Sequence, residues 1–167
     1  LRNFSLHIHP GENIALVGEN GSGKTTMVKL LTRLYDVTEG EILIEGVNIK
    51  EYKLDDLYKN IGVIFQDFIK YEALIAENIA YGEISKLKKK DNVHRSAVQS
   101  RAWDFIKTLE KQYKTHIGKT LEEKGTELSL GQWQKIALAR AFFKDAKILC
   151  LDEPTAAVDA RAEYMLF

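Results

Sequence analysis

Residues 18–25 read Gly18-Glu19-Asn20-Gly21-Ser22-Gly23-Lys24-Thr25 and fit the phosphate-binding pattern G-x-x-x-x-G-K-[ST]. The apolar run at 13–17 predicts a buried strand before this loop, and helical spacing predicts a helix over 24–34 after it. Glycines have no Cβ, so such a loop can curl and direct several backbone N–H groups at one anion. The positive end of the helix dipole adds to that attraction. The sequence therefore predicts a nucleotide site in which Lys24 reaches the β- and γ-phosphates and the Thr25 hydroxyl binds Mg²⁺.

Length and composition limit the class of protein. The chain has 167 residues, enough for one domain with a sizeable core. Its 24 Lys and Arg residues balance 24 Asp and Glu residues, which argues against nucleic-acid binding through bulk positive charge. Cys150 is the single cysteine, so an internal disulfide is excluded and a reducing compartment is expected. No apolar run is long enough to cross a bilayer, and no signal peptide is visible. The chain begins at Leu1 instead of Met and already within an alternating apolar run, so we expect it to be a fragment of a longer protein.

Short apolar or alternating runs predict the strands. These runs cover residues 1–9, 13–17, 40–46 with a hairpin partner at 47–49, 61–65 and 146–151. If the three most apolar strands are parallel neighbours, their carboxyl ends bring Lys24, Gln66 and Asp152 together, where ligands sit in open α/β sheets. Asp152 could then hold Mg²⁺, directly or through water, and Glu153 could orient or deprotonate the attacking water. Gln66 could ligate the metal or position water, but a turn residue with its amide in solvent is equally consistent.

Apolar side chains at three- and four-residue steps predict the helices. They cover residues 24–34, 54–58, 75–81, 95–109, 129–144 and a last helix from about 158. Ser129 is followed three residues later by Gln132, which is the pattern of a capping box at a helix start. A cluster of four lysines is expected to lie on a solvated loop or helix face; its members are Lys86, Lys88, Lys89 and Lys90.

The order of these motifs resembles the ATP-binding-cassette family over essentially the whole chain. The landmarks are the phosphate loop at 18–25, a Q-loop at Gln66, a signature at 128–132, the strand that ends in Asp152-Glu153 and a D-loop at 156–159. The resemblance implies an α/β fold: a P-loop NTPase (RecA-like) three-layer core with a parallel sheet, an antiparallel β part, and a helical subdomain inserted between the Q-loop and the signature. It assigns the ATP-binding core to 1–70 and 146–167, and the helical subdomain to about 71–145.

The resemblance also implies how ATP and Mg²⁺ are bound. Two such domains would bind ATP head to tail, with Ser129 and Gly131 of one capping the γ-phosphate on the phosphate loop of the other. A capped helix start suits this role physically, although the capping box alone also explains Ser129. The implied ATP-binding residues are Gly18, Glu19, Asn20, Gly21, Ser22, Gly23, Lys24, Thr25, Thr26, Ser129, Gly131 and Gln132. The implied Mg²⁺ ligands are Thr25, Gln66 and Asp152, and the implied hydrolytic residues are Glu153, Gln66 and Lys24.

Several segments look most like bacterial peptide or lantibiotic exporters. They are residues 34–46, 77–82 and 132–141, and residues 122–127 would match the loop near the coupling helices. This resemblance implies an ATPase that powers export from the cytoplasmic face of a bacterial cell membrane. It also implies a transmembrane domain in the same full-length chain, a second nucleotide-binding domain as partner, and no nucleic acid. An isolated fragment is expected to be inactive or nearly so.

Three features depart from the family pattern. Leu130 stands where the signature usually has glycine, the adenine-stacking aromatic would precede Leu1, and the switch histidine would follow Phe167. The missing histidine strand would leave a sheet edge unpaired. One alternative is a module that binds ATP without hydrolysing it, which Leu130 favours and Glu153 disfavours. The other is a soluble clamp ATPase of DNA maintenance, but no heptad run and no basic surplus support that alternative.

Overall fold

The structure is a computed structural model that describes residues 3–19, 21–86, 90–120 and 124–152. The chain divides into two compact units, residues 1–58 and 59–167. The helices in the described residues are α1 (Lys24–Leu31), α2 (Leu54–Asn60), α3 (Ile75–Ala80), α4 (Lys90–Gln99), α5 (Trp103–Ile106) and α6 (Leu130–Lys144). The strands there are β1 (Leu43–Ile44), β2 (Val47–Asn48), β3 (Ile61–Ile64) and β4 (Ile148–Leu151). Short 3₁₀ turns lie at Ile49–Glu51, Ile84–Lys86 and Gln112–Lys114.

The first unit contains the predicted hairpin. β1 and β2 pair antiparallel around a two-residue turn formed by Glu45 and Gly46. Both turn residues have positive φ, 52° and 80°, which is the backbone of a type I′ turn and matches the twist of the strands. The N–H of Ile49 donates to the carbonyl of Ile42 (2.9 Å) and extends the pairing. The sequence prediction is therefore confirmed, although residue 49 begins a 3₁₀ turn instead of continuing the strand.

Two strands predicted at the start of the chain are wrong. Residues 3–9 and 13–17 have no strand structure, and their apolar side chains are exposed: Phe4 is 52% exposed and Val17 is 95% exposed. A strand forms only where a neighbouring segment supplies partners for its N–H and C=O groups. An apolar run predicts that a segment can be buried, but the neighbouring strand that pairs with it must come from elsewhere in the chain. In this structure neither of the two runs is paired with such a strand.

The second unit contains the predicted parallel pair. β3 and β4 lie side by side in register, from Ile61 opposite Ile148 to Ile64 opposite Leu151. This part of the prediction is confirmed, because two apolar runs far apart in the chain are parallel neighbours. Cys150 is buried in β4, and burial raises the pKa of its thiol above the usual value. It is therefore a small packing residue, as expected from its apolar surroundings.

Helix α6 lies at the centre of the second unit and packs against α3, α4 and β3. Its apolar residues face a core built from several helices, and the fully buried large side chains of that core include Ile75, Ile79, Ile106, Ile117, Ile136 and Phe143. A smaller cluster on another face joins Ile64 of β3 to Ala137, Leu138 and Ala141. One helix is therefore buried on two faces, which fixes its orientation relative to the sheet within this unit.

The helix predicted over 95–109 is interrupted. The structure has two helices, α4 and α5, separated at Arg101, whose φ of 57° lies in the left-handed region. The Ser100 hydroxyl donates to the Ala97 carbonyl (3.2 Å) and accepts from the Ala102 N–H (3.3 Å). A serine that bonds the local backbone competes with helical pairing, which accounts for the break. Helical spacing of apolar residues continues across it, so periodicity alone missed it.

One lysine of the predicted basic cluster has a structural role. The Lys86 ammonium donates to the carbonyl of Lys144 (2.9 Å), the last residue of α6. A cation at a helix C-terminus satisfies a free carbonyl and interacts favourably with the dipole. Lys88 and Lys89, and the side chain of Lys90, lie outside the described residues, so the expectation of a solvated face stays a prediction for them.

Candidate functional site

The phosphate loop has the tight backbone that the sequence predicts. Gly21 and Gly23 have φ of 84° and 98°, in the left-handed region that favours glycine. The Ser22 N–H donates to the Glu19 carbonyl (3.1 Å) and closes the turn. A Cβ added to Gly18 would lie 2.7 Å from the Ser22 hydroxyl oxygen. The glycine positions of the motif therefore match the conformational needs of the loop.

Lys24 lies against the loop and begins helix α1. Its ammonium donates to the carbonyls of Gly18 (2.8 Å) and Glu19 (3.0 Å). Gly23 is the N-cap and makes no side-chain cap hydrogen bond among the described residues. The first N–H groups of a helix have no partner within the helix, so such a helix start can bind an anion. Thr25 and Thr26 are exposed in the first turn. The loop thus offers a cation, backbone donors and hydroxyls to a phosphate.

The carboxyl edge of the β3–β4 pair brings two predicted site residues together. Asp152 directly follows β4, is only 5% exposed, and donates its backbone N–H to the carbonyl of Ile64 (2.9 Å). Gln66 lies two residues beyond Ile64, with its side chain exposed. The expectation that these two share one sheet edge is confirmed. Lys24 and the phosphate loop belong to the other unit.

Four of the expected features fall outside the described residues. They are Asn20, Glu153, the D-loop at 156–159 and the last helix. Among the residues that the structure describes, no group of three or more His, Cys, Asp or Glu side chains could by itself hold a metal ion. Thr25 and Asp152 are the oxygen donors that Mg²⁺ prefers, and few protein ligands are usual when phosphate oxygens complete the shell. The donor chemistry of these residues therefore fits Mg²⁺ bound with a nucleotide.

The signature segment forms the capped helix start that the sequence predicts. The Ser129 hydroxyl accepts from the Gln132 N–H (3.3 Å), and the Gln132 side-chain carbonyl accepts from the Ser129 N–H (2.9 Å). Gly131 lies in the first turn between them. Leu130 is the first helical residue and is 51% exposed, so its bulk lies on the surface of the helix start. The capping box is confirmed, and a role of Ser129 toward a second domain stays a prediction.

A polar network beside the Gln66 segment was not foreseen from the sequence. Arg140 of α6 donates to the carbonyls of Asn78 (3.1 Å) and Ile69 (3.1 Å) and to the side-chain oxygen of Asn78 (3.0 Å). Its guanidinium also lies over the Tyr71 ring, 4.8 Å from the centroid. Burial lowers the pKa of Arg140, yet three acceptors and a ring face hold the cation. The sequence feature that could have indicated this network is Arg140 itself, a single arginine on an otherwise apolar face of the predicted helix.

Comparison with known proteins identifies the family. A family model described as ABC transporter matches residues 1–156. The chain belongs to the ABC transporter family. As a member of it, the chain has the ABC ATPase fold, which is mixed α/β and consistent with a P-loop NTPase. No described helix of this ABC domain is both long and apolar enough to span a membrane.

Similar proteins are transporters and exporters. The subtilin transport ATP-binding protein SpaT of Bacillus subtilis is 48% identical over 168 residues, covering 100% of this chain and 27% of that protein. An ATP-dependent lipid A-core flippase of Thiobacillus denitrificans is 44% identical over 163 residues, covering 98% of this chain and 27% of the flippase. A solved structure of a bacterial Atm1-family ABC exporter with ATP bound matches with a TM-score of 0.77 and 36% identity, covering 89% of this chain and 25% of that chain. The ABC domain thus spans about a quarter of the length of these relatives. They give no support to a module that binds ATP without hydrolysing it, or to a clamp ATPase of DNA maintenance.

Proposed function

We propose that this ABC domain binds and hydrolyses ATP to power export of a peptide through an attached transmembrane domain. The observation that carries the proposal is the closed glycine loop with Lys24 folded against it, in a chain 48% identical to a subtilin transport ATP-binding protein. The peptide cargo is proposed from the segments that resemble peptide exporters and from the similarity to this subtilin transport protein. The proposed location is the cytoplasmic face of a bacterial membrane, because ATP is cytoplasmic and the similar proteins are exporters.

The proposed roles of the loop residues follow from their chemistry. The Lys24 ammonium would leave the carbonyls of Gly18 and Glu19 and neutralise charge on the β- and γ-phosphates. Backbone N–H groups from the loop and the first turn of α1 would bind the remaining phosphate oxygens. Asn20, Ser22 and Thr26 belong to the same proposed binding segment. ATP would therefore be held mainly by positively polarised groups, which stabilise charge as the terminal phosphate departs.

The proposed Mg²⁺ ligands are Thr25, Asp152 and Gln66. When bound, Mg²⁺ would supply charge neutralisation at the β- and γ-phosphate oxygens. Asp152 brings a buried carboxylate and Gln66 an exposed amide to the same sheet edge, so both can turn toward one ligand. Gln66 would also orient the attacking water, and Glu153, the next residue after Asp152, would accept a proton from that water.

A second domain would complete the site. Ser129, Gly131 and Gln132 lie at the start of α6, where the positive end of the helix dipole attracts an anion. We propose that they bind the γ-phosphate held on the phosphate loop of the partner domain, in a head-to-tail dimer. Residues of about 71–145 would form the helical subdomain that carries this signature, while 1–70 and 146–167 would form the ATP-binding core.

A charge test separates capping by Ser129 from phosphate binding in trans. Aspartate is as good an N-cap as serine, so Ser129→Asp should leave the free energy of unfolding within about 0.5 kcal/mol, whereas Ser129→Ala should lower it by about 1 kcal/mol. A carboxylate facing the γ-phosphate should lower ATP turnover of the intact protein by about a hundredfold or more, because juxtaposed like charges cost several kcal/mol. Thermal unfolding and phosphate release measure the two effects.

Asn48→Asp is the matched control for that charge. Asn48 caps a 3₁₀ turn by accepting from the Lys50 N–H (3.0 Å), so aspartate adds the same charge at a cap outside the proposed site. Its turnover should equal that of the wild type. If Ser129→Asp also keeps wild-type turnover, the signature does not approach a phosphate and Ser129 is a helix cap alone.

A further inference from the structure

Gln134 is a buried polar residue with no role among the proposed ATP and Mg²⁺ ligands. It lies in the second turn of α6 and is 6% exposed. Its side-chain carbonyl oxygen has no hydrogen-bond partner among the described residues. A buried acceptor without a donor costs about 1–3 kcal/mol, so natural proteins rarely keep one without a reason. A methionine of similar shape would fill the same space without that cost.

The surroundings of Gln134 suggest which donor it serves. It lines a cavity of about 10 Å³ together with Ala137 and Leu138 of α6. The cavity is also lined by the end of β3 and the segment after it, including Gln66 and Phe68. The walls near Gln134 are otherwise mostly apolar, and Gln66 is the side chain in that lining with N–H groups to donate. The space is about that of one water molecule, so a direct or a water-mediated bond can form.

We propose that Gln134 is a positioning residue for Gln66. Its side-chain carbonyl accepts a hydrogen bond from the Gln66 amide, directly or through one water, when Gln66 turns toward bound nucleotide. This inference rests on the proposed role of Gln66 in ATP hydrolysis. It adds a physical link between two sites, because the helix that begins at Ser129, proposed to face the partner's nucleotide, also holds Gln66 beside this domain's own nucleotide.

The link follows from the geometry of α6. Gln134 is five residues after the N-cap Ser129, about one and a half helical turns along the same rigid element. A displacement of the helix start on binding of a partner would therefore move Gln134, and with it the acceptor for Gln66. The hydrogen bond would transmit occupancy of one site to the geometry of the other.

Gln134→Met tests the proposal in the intact protein. Methionine keeps the shape of the side chain but removes the acceptor, so Gln66 should lose its orientation. We expect kcat for ATP hydrolysis to fall by about tenfold to a hundredfold, as for other small misplacements of a catalytic group, with KM changed by less than about twofold. The Tm should stay unchanged or rise, because an unsatisfied buried acceptor is removed. Gln134→Glu keeps a carboxyl oxygen as acceptor and should recover most of the lost kcat.

A double-mutant cycle decides whether the effect passes through Gln66. Gln66→Ala alone should lower kcat, and adding Gln134→Met to it should cause no further loss, because the two residues act as one unit. Gln99→Met, on the exposed surface of α4, makes the same chemical change away from the cavity and should keep wild-type kcat. Wild-type kcat in Gln134→Met, or additive losses in the double variant, would overturn the proposal.

Failure of the proposed function gives a different result. A wild-type protein that hydrolyses no ATP would reject the proposed function and the positioning role together. Full activity in Gln66→Ala, with a loss in Gln134→Met, would leave the ATPase intact and reject only the route through Gln66. A fall in Tm that accompanies the loss of kcat in Gln134→Met, with no recovery in Gln134→Glu, would assign the residue a structural role alone and overturn the proposal.

Discussion

Lys24→Ala is expected to abolish ATP binding at ordinary nucleotide concentrations. The Lys24 ammonium donates hydrogen bonds of 2.8 Å and 3.0 Å to the carbonyls of Gly18 and Glu19, so it already lies against the phosphate loop. Two charge-assisted hydrogen bonds to phosphates are worth about 3–6 kcal/mol, and each 1.4 kcal/mol is tenfold in affinity. The dissociation constant for ATP should therefore rise at least about a hundredfold. Titration with a fluorescent ATP analogue measures it.

Lys29→Ala is the matched control on the same helix. Lys29 lies in the last turn of α1, with its Nζ atom 6.0 Å from the centre of the Tyr35 ring. It makes no hydrogen bond to the loop carbonyls of Gly18 and Glu19 that Lys24 binds. Its removal should leave ATP affinity unchanged. Lys24→Arg keeps the charge but not the compact ammonium, so it should recover little affinity. Equal affinity of Lys24→Ala and the wild type would exclude the loop as the phosphate site.

Gly82→Ala is expected to destabilise the second unit severely. A Cβ at Gly82 would overlap the backbone carbonyl oxygen of Arg140 in the middle of α6. The obstacle is backbone of the central helix, so relief requires α3 and α6 to separate, and overpacking of this kind costs about 3 kcal/mol or more. That is a large share of the 5–15 kcal/mol of a typical domain, so Tm should fall by several degrees or the protein should fail to fold.

Gly62→Ala is the contrasting substitution in the same unit. An added Cβ in β3 would lie 3.3 Å from Leu149 Cδ1, the end of a flexible and exposed side chain. Leu149 can turn away, so the free energy of unfolding should change by less than about 1 kcal/mol. Both variants add one methyl group to a glycine, but the methyl group meets helix backbone at Gly82 and a movable side chain at Gly62. Equal Tm values for both would show that the close approach of Gly82 to α6 does not constrain the packing.

The elements predicted well from the sequence have local causes. The phosphate loop depends on glycines within eight residues, the hairpin on the turn at Glu45 and Gly46, and the start of α6 on the reciprocal bonds of Ser129 and Gln132. Each of these causes operates within a few residues of the chain. Pattern and turn chemistry therefore suffice to predict them.

The elements that were missed depend on partners distant in sequence. The runs at 3–9 and 13–17 are apolar enough for strands but have no paired neighbour in the structure. The bonds from Arg140 to Ile69 and Asn78 join residues more than sixty positions apart and cannot be read from helical spacing. The break at Ser100 is local, but the apolar periodicity that continues across it obscured the signal. The burial of Gln134 likewise follows from the packing of α6 on β3.

Release of phosphate from ATP by the intact protein, compared with its Glu153→Gln variant, is the most direct test of ATP hydrolysis by this domain. The wild type should turn over ATP in the presence of Mg²⁺. The variant should bind ATP with wild-type affinity. Its rate of ATP hydrolysis should be at least about a hundredfold lower, because glutamine cannot accept the proton from the attacking water. Absence of phosphate release from a wild type that binds ATP would contradict the proposed ATPase, and near-normal turnover in the variant would remove Glu153 from the reaction.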